Sequence, residues 1–230
     1  MKVEHNQQIA EKAYDTLRDQ ILIGQWPVGS IKQDKEIAKN LKEELGGIHV
    51  LETKVAIAHL RATGLVRLHR GDSLKDGKTG YEVIAYDCED VSDIVAMRAP
   101  IEDMIASRIA YEKGKDPDFN FIDKMDAILS KMSMSHEADN SDAFMKEDTN
   151  FHKTIAVHAG YHMAARQFGE WRDIIQTYRA THPLAKNDRA KIIGEHIQIV
   201  NGITSGDEER AGEAVIVHFE KTVDRLQKNK

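Results

Sequence analysis

A single cysteine, Cys88, in a chain of 230 residues leaves no partner for an internal disulfide and excludes a cysteine-rich zinc site. Any metal the chain holds must then be met by carboxylates and by its 11 histidines. Only four prolines and an aromatic content of 6% argue against an all-β sandwich, while the Ala, Ile, Lys, Glu and Arg stretches favour helix. No segment approaches the ~20 consecutive apolar residues of a membrane helix, and the opening MKVEHNQQIAEKAYDTL lacks the apolar run of a signal peptide. The expectation is a soluble, cytoplasmic chain with no membrane partner. Its 41% hydrophobic content is enough for at least one core.

An excess of basic residues is also missing. The net charge is −6, which taken whole speaks against nucleic acid, but the charge is unevenly placed: residues 1–85 sum to +1 and residues 86–230 to −7. Phosphate binding responds to local clusters of cations, so the near-neutral first segment remains able to present a basic face.

Ala10, Ala13, Tyr14, Leu17 and Ile21 recur at helical spacing and predict a helix over about 8–23, closed by Gly24 and Pro27. A second helix follows over about 33–45, then Gly46-Gly47, then a third over about 51–63 ending at Gly64. The alternating segments LVRLHR and GYEVIAY, joined by GDSLKDGKT, predict a β-hairpin. Three helices and a hairpin make a winged helix-turn-helix over 1–85, with the third helix placed for the major groove. A small helical domain that binds another protein shares this pattern. Beyond Asp87 the strands stop. Helices are expected at about 90–113, 117–135, 141–159, 162–180, 187–204 and 207–228, with turns at Lys113-Gly114-Lys115, Gly160, Thr181-His182-Pro183 and Ser205-Gly206-Asp207. The fold class is therefore mainly α, with a six- to seven-helix bundle over 86–230. Pro100 should kink the first of these helices or start it afresh.

The segments AYDTLRDQILIGQWPVGS, DKEIAKNL, AHLRATGLV and GKTGYEV resemble the DNA-binding domain of the GntR family of bacterial transcription regulators. VSDIVAMRAPIEDMIASRIA, DTNFHKTIAVHAGYH and EHIQIVNGITSGDEERA, with His218 in the last helix, resemble the helical FCD ligand-binding domain of the FadR-type subfamily. The resemblance implies a homodimer on a double-stranded DNA operator, controlled by a small organic acid bound beside a divalent metal. Repression relieved by the effector is the sign it implies.

The same residues can be read on physical grounds. Asp148 and His152 lie one helical turn apart on a face that also carries Phe144, Met145, Ile155 and Ala159. His196 sits among Ile192, Ile193, Ile199, Val200 and Ile203, and His218 among Ala211, Ala214, Val215 and Leu226, so each lies on an apolar stripe. A carboxylate buried among imidazoles needs a positive partner, and a divalent ion on Asp148, His152, His196 and His218 meets that need. Zinc suits the donors, and nickel, cobalt or manganese fit them as well. Without a metal, Asp148 accepts hydrogen bonds from the histidines. His158 and His162 form a rival pair placed at the surface or a pocket edge. Arg98 has two readings, a fork for an effector carboxylate, as the family resemblance implies, or a surface ion pair with Glu102 four residues on. Arg179 is a second candidate effector contact.

The DNA-binding half departs from the GntR pattern where the third helix begins. KNL is followed by KEELGGIHVLETKVAIAHL in place of a Ser-Arg-Thr-Pro-Val-Arg type segment, so the family arginine positions fall on Val50 and Lys54, and on Ile31 after PVGS. Lys32, Lys35, His49, Lys54, Arg61, Arg70 and Lys78 remain as candidate DNA contacts, which hold position more than they read sequence. The operator should therefore differ from the usual family sequence, or specific DNA binding has been lost. Glu195 adjoins His196 and so projects about 100° away from it, leaving no evident general base. A metal-dependent hydrolase is accordingly the alternative, and a non-enzymatic regulator the main reading.

Overall fold

The computed structural model describes residues 2–46, 48, 50–70, 79–113 and 119–228, with side chains described from residue 8 onward except at 113 and 119. Two compact units divide the chain, residues 1–86 with 173–181 and residues 87–172 with 182–230.

In the first unit, α1 (Lys2–Leu22) begins six residues earlier than the apolar spacing alone suggests. β1 (Ile31–Lys32), α2 (Asp34–Leu45), α3 (Val50–Ala62), β2 (Val66–His69) and β3 (Gly80–Val83) follow. The hairpin strands pair antiparallel with Val66 opposite Val83 and His69 opposite Gly80. A third strand, unanticipated because it is two residues long, adds to the other edge of β3, with Ile31 opposite Glu82. Gly80 permits that addition, since a Cβ there would stand 2.7 Å from Ile31 Cγ2 and 2.9 Å from the Lys32 carbonyl oxygen. Leu17, Ile21, Trp26, Ile37, Leu41, Ile57, Leu60 and Val83 form a buried core drawn from all three helices and the sheet. Arg18 clamps Asp173, a member of the same unit, through Nε at 2.5 Å and a terminal nitrogen at 3.0 Å. The loop at 71–78, Gly47 and the 114–118 turn lie outside the described residues.

The second unit is built from α4 (Cys88–Lys113), α5 (Phe119–Glu137), α6 (Ser141–His158), the first part of α7 (His162–Arg179), α8 (Lys186–Ser205) and α9 (Glu208–Gln227). α4 is one continuous helix through Pro100, so it does not begin afresh there. Asn140 and Asp207 cap α6 and α9 by accepting from the backbone N–H of Ala143 and Arg210, each at 3.0 Å. α4 packs chiefly along α9, α9 on α8, and α5 on α6 and α8. Among the described residues no helix is long and apolar enough to cross a membrane.

The α8–α9 contact is close because position 202 carries no side chain. A Cβ on Gly202 would lie 2.7 Å from Ala211 Cα and 3.0 Å from the Arg210 carbonyl oxygen, backbone atoms that cannot swing aside. Gly202→Ala should therefore lose about 1–3 kcal/mol to overpacking, less what alanine gains in helix propensity. A thermal melt several degrees below the parent is expected, and an unchanged or raised midpoint would show that the two helices can move apart freely.

Candidate metal centre

Three helices of the second unit each send one imidazole to a common point. His152 on α6, His196 on α8 and His218 on α9 are all buried, and one ring nitrogen from each lies within 4.8 Å of the others. Their ring centroids are separated by 5.0 Å (152 to 196), 4.8 Å (196 to 218) and 5.4 Å (152 to 218). Phe151 stacks flat on His196 at 3.9 Å, with 3° between the planes, and so fixes the orientation of that ring.

Two of the rings are held from behind by carboxylates. His152 Nδ1 donates to Glu102 Oε2 at 2.5 Å, and His218 Nδ1 donates to Glu195 Oε2 at 2.9 Å. A carboxylate acceptor requires the proton on Nδ1, so Nε2 of each ring keeps its lone pair for a ligand. The carboxylates are anchored in turn. Arg98 Nε donates to Glu102 Oε1 at 2.8 Å, and the Arg225 fork holds both oxygens of Glu195 at 2.8 Å each. Burial works against ionisation of Glu102, but Arg98 and His152 outweigh it and bring its carboxyl down to about 2. Glu195 is likewise lowered to about 2, with burial again opposed by Arg225 and His218.

His196 differs from its two neighbours. Neither ring nitrogen has a hydrogen-bond partner, although both are buried. Burial, then the nearby His218 and His152, push its pKa well below 6.5, which keeps the ring neutral and able to donate a lone pair. Its Nε2 is 3.6 Å from Asp148 Oδ1. Two atoms bound to one ion at about 2.1 Å sit about 3.4 Å apart in tetrahedral geometry, so this spacing fits a shared metal. Asp148 is partly exposed and lies beside the triad but outside the mutually close set.

Arg98 is buried, so its ion pair with Glu102 is internal and not the surface bridge considered from the sequence. Its guanidinium carbon lies 5.3 Å from the Phe168 ring centre and 5.1 Å from that of Phe219. Arg179 ends α7 within residues 173–181, which group with the first unit, and its guanidinium lies over Tyr178 at 5.6 Å. His158 and His162 are exposed and end up on different helices, with His158 stacked on Phe121 at 4.3 Å. A cavity of about 620 Å³ along α8 and α9 is lined by Glu195 and Arg225 but by none of the three histidines.

Glu102, Glu195 and Arg225 escaped the sequence reading as parts of the site. Glu195 does project away from His196, yet that direction leads it to His218 on the next helix. Arg225, two turns beyond His218 on the same face, was the available signal.

Among the candidate DNA contacts, Lys35, Lys54, Arg61 and Arg70 are exposed, and Lys32 lies over the Trp26 ring at 5.3 Å. His49 and Lys78 lie outside the described residues.

The FCD domain family model matches residues 93–221, more than half of the chain. The whole chain also superposes on solved regulators of low sequence identity. McbR/YncC from E. coli matches with a TM-score of 0.74 at 14% identity, covering 96% of this chain and 97% of that one. A structural-genomics GntR protein from Rhodococcus sp. RHA1 gives 0.71 at 15%, covering 95% and 97%. Lar, described as controlling expression of the Listeria monocytogenes agr system, gives 0.60 at 14%, covering 95% and 96%. No curated protein matches the chain in sequence. The chain belongs to the FCD domain family, and along its length it has the fold of a FadR-type GntR-family regulator.

The anchoring of Glu195 is directly testable. Arg225→Met leaves a buried carboxylate without its fork and should cost about 3–5 kcal/mol in denaturant unfolding. Adding Glu195→Gln should recover part of that loss. Equal stability of parent and Arg225→Met would mean that the pair is hydrated and not structural.

Proposed function

We propose that the chain is a DNA-binding transcription regulator, a homodimeric repressor, whose helical domain holds one divalent ion on Asp148, His152, His196 and His218 and takes a small organic acid beside it. The observation that carries the metal reading is His196, a buried imidazole with two unpartnered nitrogens at the meeting point of two others whose Nδ1 atoms are engaged by carboxylates. Leaving such a polar atom unsatisfied costs about 1–3 kcal/mol, and an ion bound at Nε2 removes that cost for this nitrogen. Zinc suits these donors best, with nickel, cobalt or manganese as alternatives.

The bound ion supplies a Lewis-acidic centre for a carboxylate. Arg98 supports the effector reading because only its Nε is engaged, while its planar head is steadied between Phe168 and Phe219. Its terminal nitrogens suit a second anionic oxygen of a hydroxy, keto, sugar or dicarboxylic acid. Glu102 and Glu195 are each engaged by an arginine and an imidazole, which disfavours either as the base of a hydrolase. In the first unit, α3 is the element that enters the major groove, with Lys32, Lys35, Lys54, Arg61 and Arg70 contributing to phosphate contact. A ligand can shift DNA occupancy only through different affinities for two arrangements of the protein, and in a repressor relieved by its effector the acid favours the arrangement that the operator does not.

Purified protein should retain about one divalent ion per chain, and His196→Ala with His218→Ala should abolish retention in elemental analysis. Full retention in that double variant would remove the proposed site. In a low-salt gel shift against the gene's own upstream region, the protein should retard the duplex and an active acid should release it. Absence of any shift would contradict the regulator reading.

A further inference from the structure

α3 presents an unusual outward face for a helix that enters the major groove. Val50, Leu51, Lys54, Val55, Ala58, Arg61 and Ala62 are all exposed, whereas Glu52, Thr53, Ala56, Ile57 and Leu60 are buried beneath them. At about 100° per residue these seven fall within one arc of about 140°, and the exposed His59, stacked on Tyr14 at 3.8 Å, lies beyond its edge. Lys54, Arg61 and Val50 occupy one edge of that arc, and Leu51, Val55, Ala58 and Ala62 fill the rest. Val50 and Leu51 are each 66% exposed and Val55 is 49% exposed, so the first unit leaves these aliphatic groups uncovered.

An uncovered apolar strip needs an occupant, and the charges beside it select one. The exposed arc carries two cations and no carboxylate, because the helix's sole acid, Glu52, is buried on the opposite side. Lys35 at the start of α2 and Arg70 beyond β2 are also exposed. That complement suits a polyanion whose groove floor offers apolar groups. In the DNA major groove the apolar group is the thymine C5 methyl, which aliphatic side chains meet and which no hydrogen-bonding side chain is needed to read.

We infer that Leu51, Val55 and Ala58 read thymine methyl groups, so that the operator is recognised through T·A pairs by apolar contact, with Lys54 and Arg61 holding the phosphates alongside. The inference rests on the DNA-binding reading above. It accounts for a recognition helix lacking the arginines that take guanine in bidentate fashion.

The test uses the full chain and random duplex DNA. Selection should enrich half-sites containing thymine. The selected duplex should then be remade with deoxyuridine in place of thymidine, which removes only the methyl. Each lost methyl contact should weaken binding about fourfold, and a two-half-site duplex about tenfold or more. Leu51→Ala and Val55→Ala concern exposed side chains and should fold normally. They should shrink the difference between the thymidine and deoxyuridine duplexes. Lys54→Gln should instead weaken both duplexes equally and lower the salt dependence. Equal affinity for the two duplexes would overturn methyl reading while leaving DNA binding intact. Failure to enrich any sequence or to bind DNA at low salt would overturn the DNA-binding reading itself, and the inference with it.

Discussion

Two buried arginine–glutamate pairs, Arg98 with Glu102 and Arg225 with Glu195, hold the centre of the helical unit in register. Removing four charges from water costs several kcal/mol per ion, so they persist only because each glutamate is satisfied on both sides. One oxygen or fork face meets arginine, and an oxygen also meets an imidazole Nδ1. The consequence reaches the histidines: with Nδ1 protonated and fixed, the Nε2 lone pairs of His152 and His218 have one direction in which to point. α4, α6, α8 and α9 all contribute to this arrangement, which ties the bundle's packing to the donor geometry at its middle.

His196 completes the convergence in a different way. It has no carboxylate behind it, and its ring is oriented by the flat face of Phe151. The close approach of α8 and α9 at Gly202 brings its helix near to that of His218. Packing thus positions one donor and hydrogen bonding the other two. In the first unit the division of labour is comparable. Apolar packing of α1 and α2 holds α3, whose outer arc takes no part in the core.

Much of this was readable in the sequence because it was periodic. The six helices of the second unit follow from apolar spacing and turn residues, and the inward direction of His152, His196 and His218 follows from the stripes they sit on. The hairpin was legible from alternation, but β1 was not, since two residues carry no period and the pairing depends on the missing side chain of Gly80. Pro100 left two outcomes open, a kink or a fresh start, and the continuous run of α4 through it removes the second. Glu102 and Glu195 were hidden as supports of the imidazoles because those rings lie on other helices. Side-chain contacts across fifty or twenty-three positions leave no local pattern.

In the proposed function three imidazoles and one carboxylate form a single divalent-ion site. X-ray absorption at the edge of the ion carried by the purified protein tests this most directly. The expected spectrum shows imidazole scattering from about three rings with one further oxygen donor, at distances of about 2.0–2.2 Å. A protein that takes up no ion, or an ion whose surroundings lack imidazole, would contradict it.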